Sequence, residues 1–226
     1  LYKLVIFDFD GTLVDSAPGI VEVMRLVIEK YDLPSAALDQ WSHLIGVPLV
    51  RQVELVFPDR NPEERHEIVE AYRTIYSAQL IEACPPFSGL KDYLIALKEA
   101  GKIITIASSK RRQPIEVVLN HYELTKYFEL ILGAEDVEHH KPHPQTVLMT
   151  LEKFGIEARE AVVIGDSTYD MDMAKGAHVD AIGVLTGIHS REVLSTTHPT
   201  YIVATLAETL PIILNPVITV SAVSAG

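Results

Sequence analysis

Two carboxylates separated by a single phenylalanine, Asp8 and Asp10, close the apolar run Leu4-Val5-Ile6-Phe7 and lead straight into Gly11-Thr12. A run this apolar reads as a strand buried on both faces, and charge is rarely buried without a partner. Two residues apart, the acids share one side of the strand and lie within about 7 Å along it, so the second can serve as a general acid and base. Gly11 lets the chain turn where a side chain would crowd the acids. Three further polar groups follow apolar runs or lie in loops on that side. Ser108-Ser109-Lys110 follows "IITIA", Asp166 follows "AVVIG" with Asp170 one helical turn later, and Lys141 sits in the proline-bracketed stretch "HHKPHP".

These groups can meet only if the intervening elements bring them together. From residue 88 the pattern alternates between helix and strand. Helices are predicted at 88–100, 114–121 and 144–154 and from about 168, and strands at 103–107, 128–132, 161–164, 181–185 and 201–203. Such alternation predicts an α/β fold, a Rossmann-like doubly wound parallel sheet covered on both faces, with ligands beyond the carboxyl ends of its strands.

The first strand then belongs with residues 85–226, and 15–84 is an insertion with helical periodicity only. Ile20, Met24, Val27, Ile28 and Tyr31 mark one helix face. Asn61-Pro62-Glu63-Glu64 opens another helix, running to about residue 81, with a capping side chain, a proline for the first turn and acids for the positive end. The uncharged end of the chain reads as a short last helix and a loose tail at 215–226.

A formal charge of −12 argues against nucleic acid or an anionic membrane as partner, since both call for clustered Lys and Arg. Lys110-Arg111-Arg112 can act inside a pocket whatever the global charge, though such a cluster is usually a solvated face. The single cysteine, Cys84, allows no disulfide within the chain, and no arginine follows it closely enough for a cysteine phosphatase loop. It reads as core or linker filler. The opening apolar run is short, is interrupted by Asp8 and lacks a small-residue cleavage pattern, so the expected location is cytoplasmic. His139, His140 and His143 match no closed zinc pattern. No Walker loop, dinucleotide fingerprint or serine-hydrolase elbow is found.

The four motifs together, "DFDGTLVDS", Ser108, Lys141 and "GDSTYD", resemble the haloacid dehalogenase superfamily of phosphotransferases over essentially the whole chain. Residues 15–84 look like its type 1 cap domain. The resemblance implies Asp8 as a nucleophile that forms an aspartyl-phosphate, Asp10 as general acid and base, and Lys141 as the neutralising cation. It also implies phosphate contacts from Ser108, Ser109, Gly11 and Lys141, and Mg2+ held by Asp8, Asp166 and the Asp10 carbonyl. Asp170 and Thr12 would support these groups, and His43, Gly46 and Arg51 are candidate specificity contacts from the cap.

Asp10 argues against a dehalogenase proper, which lacks that second acid. "DSAPGI" and "IGVPL" look like the phosphoglycolate phosphatase branch, which implies a small phosphorylated metabolite as substrate and a monomer or homodimer. Pyrophosphatase and β-phosphoglucomutase-type mutase activities are the alternatives. Leu49, where the mutases carry an arginine, weakens the latter, and Arg51 nearby keeps it open. A phospho-aspartate switch module is the alternative of another class, and Asp10 and the inserted cap speak against it.

Overall fold

The computed structural model describes residues 2–215. Its strands are β1 (Leu4–Phe7), β2 (Ile103–Ala107), β3 (Leu130–Leu132), β4 (Ala161–Gly165), β5 (Asp180–Val184) and β6 (Tyr201–Val203). They form one parallel sheet in the order β3-β2-β1-β4-β5-β6. β1 is therefore central, and the winding reverses beside it, which is where ligands of such sheets bind.

Period-two alternation divides β1 between two layers. Leu4 and Ile6 join a cluster with Val147, Met171 and Ala174, whereas Val5 and Phe7 join the larger cluster that holds Leu94, Ile115 and Met24. All four side chains are fully buried, at about 1.5–3 kcal/mol each. The strand that carries the two acids is thus gripped from both faces.

Between β1 and β2 come α1 (Ala17–Lys30), α2 (Ala37–Ser42), α3 (Leu49–Val56), α4 (Pro62–Ala78) and α5 (Leu80–Ala83), followed by α6 (Leu90–Glu99). α7 (Arg112–His121), α8 (Gln145–Phe154), α9 (Thr168–Gly176), α10 (Arg191–Ser195) and α11 (Thr209–Leu214) complete the chain as described. α6, α7 and α11 cover the Val5 face together with the inserted helices; α8, α9 and α10 cover the Leu4 face. The insertion leaves and rejoins the sheet through two adjacent segments: Asp15 N–H donates to Pro85 (2.8 Å), Phe87 N–H donates to Leu13 (3.1 Å), and Val14 bridges Pro86.

The Asn61 start is a full capping box, in which Asn61 and Glu64 each accept the other's backbone N–H at 2.9 Å. The helix expected to run to 81 instead breaks at Gln79. The chain re-aims so that Ala83 meets α1 at Gly19, where an added Cβ would lie 2.6 Å from Ala83. Tertiary packing overrides local propensity there. α2, α3 and α10 are too short to leave a periodic signal. Of the expected tail, residues 216–226 lie outside the described residues. Among the described residues no helix is long and apolar enough to cross a membrane.

Candidate active site

Asp8 follows β1 directly, and its backbone N–H donates to Ile164 of β4 at 2.9 Å, which fixes it between the two central strands. Lys141, in the loop between β3 and α8, donates to Asp8 Oδ1 at 2.6 Å and to Asp170 Oδ1 at 2.5 Å. Asp170 uses its other oxygen in the capping box that starts α9, accepting from Ser167 N–H (3.1 Å) and Ser167 Oγ–H (2.6 Å). Expected only to support, it is the second anchor of the lysine.

Asp166, at the end of β4, accepts from Thr12 Oγ1 (3.4 Å) and from Ile188 N–H (3.0 Å). Gly11, with φ of +74°, and Gly187 give its carboxylate room: a Cβ on Gly187 would lie 1.8 Å from Asp166 Oδ2, and one on Gly11 2.7 Å away. The Gly11 N–H donates to the Val14 carbonyl at 2.9 Å, and the missing side chain leaves space for Asp166.

Asp8, Asp166 and Asp170 place one carboxylate oxygen each within 4.8 Å of one another, all buried. Burial pushes the Asp8 carboxyl up to about 7 against the pull of Lys141. It pushes Asp166 well above the carboxylate range, and Asp170 and Asp8 add like-charge repulsion. Burial also disfavours the Lys141 ammonium, but Asp170 and Asp8 together outweigh it and hold the lysine charged. Three acids face one lysine in an all-oxygen setting, which suits a hard divalent cation.

Asp10 points elsewhere. Lys110 donates to its two oxygens at 2.8 and 2.9 Å and to Tyr76 Oη at 2.6 Å, and Tyr76 Oη lies 2.8 Å from Cys84 Sγ. Lys110 is therefore not part of a solvated face. Burial works against its charge, and the Asp10 carboxylate overcomes that, raising its pKa. Since Tyr76 belongs to α4, this ion pair also ties the inserted helices to the sheet. Cys84 lies fully buried in the core, as expected, and burial pushes its thiol up to about 11, so it stays neutral.

A cavity of about 540 Å³ opens over Asp8 and Asp10, bordered by Ser108, Ser109 and Lys110 on the sheet side and by helices of the insertion opposite. Ser108 Oγ accepts from Lys110 N–H at 3.2 Å, while Ser109 Oγ is buried with no partner and invites a ligand oxygen. Of the three insertion residues expected at the cavity, only Gly46 borders it. His43 bonds the Asp39 carbonyl at 2.7 Å on the surface. Arg51 pairs with Glu54 at 2.9 Å, because α3 turns Gln52, Val53 and Val56 inward and leaves Arg51 outside.

The segment after β5 is also part of the site. Thr186 Oγ1 donates to the Gly11 carbonyl at 2.7 Å, Ile188 N–H holds Asp166, and His189 Nδ1 accepts Thr168 N–H at 3.0 Å. The rule that singled out Ser108 and Asp166, a polar group just past an apolar strand, would have found "LTGIH" after "DAIGV" as well. Gly187→Ala should displace Asp166 and weaken divalent-cation binding by roughly 10–100-fold. The check is loss of the magnesium-induced rise in Tm, with an unchanged circular dichroism spectrum.

A parallel sheet with acids at the carboxyl ends of its central strands, a lysine between them and a helical insertion above is the arrangement of a Rossmann-like α/β enzyme with a carboxylate-lined site. The family model described as haloacid dehalogenase-like hydrolase matches residues 5–184. The protein named "Probable phosphatase IndB" from Dickeya dadantii (strain 3937) is 35% identical over 91% of this chain and 90% of its own. A phosphoglycolate phosphatase from Yersinia pestis is 31% identical over 94% and 93%. The solved structure of a predicted phosphatase from Clostridium acetobutylicum superposes with a TM-score of 0.83 at 29% identity, covering 95% of this chain and 99% of that one. The chain belongs to the haloacid dehalogenase-like hydrolase family, and within it is an enzyme of the phosphatase kind.

Proposed function

We propose that this enzyme hydrolyses a phosphate monoester through an aspartyl-phosphate on Asp8, with Mg2+ as cofactor. The observation that carries this reading is the Asp8 carboxylate itself, set at the cavity floor with Lys141 at 2.6 Å and two further buried acids beside it. Asp8 and Asp166, with the Asp10 main-chain carbonyl, would hold the ion, and Asp170 would stand behind them. When bound, magnesium offsets the charge of the phosphoryl oxygens as they approach the acids.

Asp10 enters the first step protonated; one Asp8 oxygen forms a bond to phosphorus while the ester O–P bond breaks, and the departing alcohol oxygen takes the Asp10 proton. In the second, water attacks the phosphorus, Asp10 takes its proton, and the Asp8–phosphorus bond breaks to release phosphate. Lys141 neutralises the attacking carboxylate. The Ser108 and Ser109 hydroxyls donate to phosphoryl oxygens, and Lys110 orients Asp10 by gripping both of its oxygens. The inserted helices act as a cap that keeps bulk water from the intermediate.

Relatives named phosphoglycolate phosphatase make 2-phosphoglycolate the first ester to assay. Purified protein should release phosphate from members of a monoester panel with magnesium. Chelation should lower the rate by about 100-fold or more, and added magnesium should restore it. A folded protein that releases phosphate from no ester in the panel refutes the proposal.

A further inference from the structure

The cavity wall opposite the acids bears on the alcohol that leaves. On the insertion side it is mostly apolar, with Ile45, Val47, Pro48, Leu49 and Tyr72, and the hydroxyl-bearing Tyr76 and Ser77 also line it. Among the described residues, Arg73 is the only charged side chain of residues 17–83 on that border, and Glu70 already pairs with it at 2.5 Å. The one buried amide there, Gln52, is used at both ends, accepting from Trp41 Nε1 at 2.9 Å and donating to the Val47 carbonyl at 2.6 Å. The other bordering cations, Lys110 and Arg111, come from the segment after β2, beside Ser108 and Ser109, and Lys110 is held by Asp10.

A carboxylate pressed against Val47, Pro48 and Leu49 would lose its water and meet no cation of that wall but Arg73, which Glu70 already holds. An uncharged ring would instead bury apolar surface. Size points the same way: about 540 Å³ falls among pockets that enclose whole drug-sized ligands, roughly 300–1,000 Å³, well beyond a phosphate with two carbons.

We infer that the substrate is a phosphate monoester whose alcohol carries an uncharged, largely apolar group of ring size, seated against Val47, Pro48 and Leu49. This rests on the phosphomonoesterase reading above and narrows it, away from a short hydroxy acid such as glycolate.

The test compares kcat/KM for benzyl phosphate and 2-phosphoglycolate with magnesium. Both lose an unactivated primary alcohol, so the chemical step does not favour either strongly. Benzyl phosphate should be preferred by at least about tenfold. Val50→Arg adds a cation at a border position that is 49% exposed, so the core is untouched, and it should shift the ratio at least about tenfold toward 2-phosphoglycolate.

A wild-type ratio at or below one overturns the inference while leaving the phosphatase reading intact. A preference for benzyl phosphate that Val50→Arg does not move overturns it too. If neither ester, nor any other in the panel, yields phosphate, the reading beneath fails and the inference falls with it.

Discussion

Asp8→Asn is expected to lower phosphate release by roughly 10⁴- to 10⁶-fold while the protein stays folded. The amide has nearly the shape of the carboxylate but cannot form the bond to phosphorus. The same substitution should stabilise the metal-free protein at alkaline pH. The Asp8 carboxyl is raised from an ordinary value of 3.8 to about 7, so between these values the folded chain binds the proton more tightly than the unfolded one. Stability from this group is full below 3.8 and is lost as the pH rises through 7. Asn carries no such dependence. The Tm of the variant should exceed that of the metal-free wild type at pH 8, with the gap narrowing toward pH 5. A variant less stable than wild type at pH 8, or one that keeps a tenth of the activity, contradicts the role given to Asp8.

Lys141→Met should be costly in two ways. Without its ammonium, Asp8, Asp166 and Asp170 share one buried pocket with no cation of the chain beside them, and breaking such a pair typically costs about 3–5 kcal/mol. Activity should drop by at least about 10²–10³, because the attacking carboxylate then meets the phosphoryl group unneutralised. Chemical denaturation with and without magnesium separates the two effects. The ion should recover part of the lost stability, since it answers the same excess of negative charge, but not the turnover. Lys141→Arg should restore neither in full, because a planar guanidinium cannot replace a compact ammonium between two carboxylates at 2.5–2.6 Å.

The sheet was legible because its strands are short apolar runs, with a polar residue directly after β1, β2 and β4, and β2 and β6 fall at 103–107 and 201–203 as the pattern predicts. Asp8 and Asp166 could be gathered as strand ends, with Asp170 one helical turn on, whereas Lys141 in its proline-bracketed loop stood out only beside the other motifs of the family it resembles. The partner of Asp10 was harder to find. Lys110 stands beside Arg111 and Arg112 and looks like surface charge until Tyr76 closes over it from α4, a contact between residues 34 apart in sequence. Arg51 misled for the related reason that helix phase, set by the buried face of α3, decides which side chain reaches the cavity. Charge type is written in the sequence, but direction is set by packing.

The neighbouring segments at Asp15–Pro85 and Leu13–Phe87 make the inserted helices a module on a two-stranded stem. The chain departs from and returns to almost the same place, so a short turn joining residues 14 and 86 would leave the strand order unchanged. A different set of helices could be grafted onto the same stem, because closing a longer loop adds only about 0.6 kcal/mol for each doubling of its length. On the proposed reading, the chemistry of bond breaking and the choice of alcohol sit on different pieces of the chain, joined through Tyr76 and Lys110. Such a chain can change what it recognises without rebuilding how it reacts.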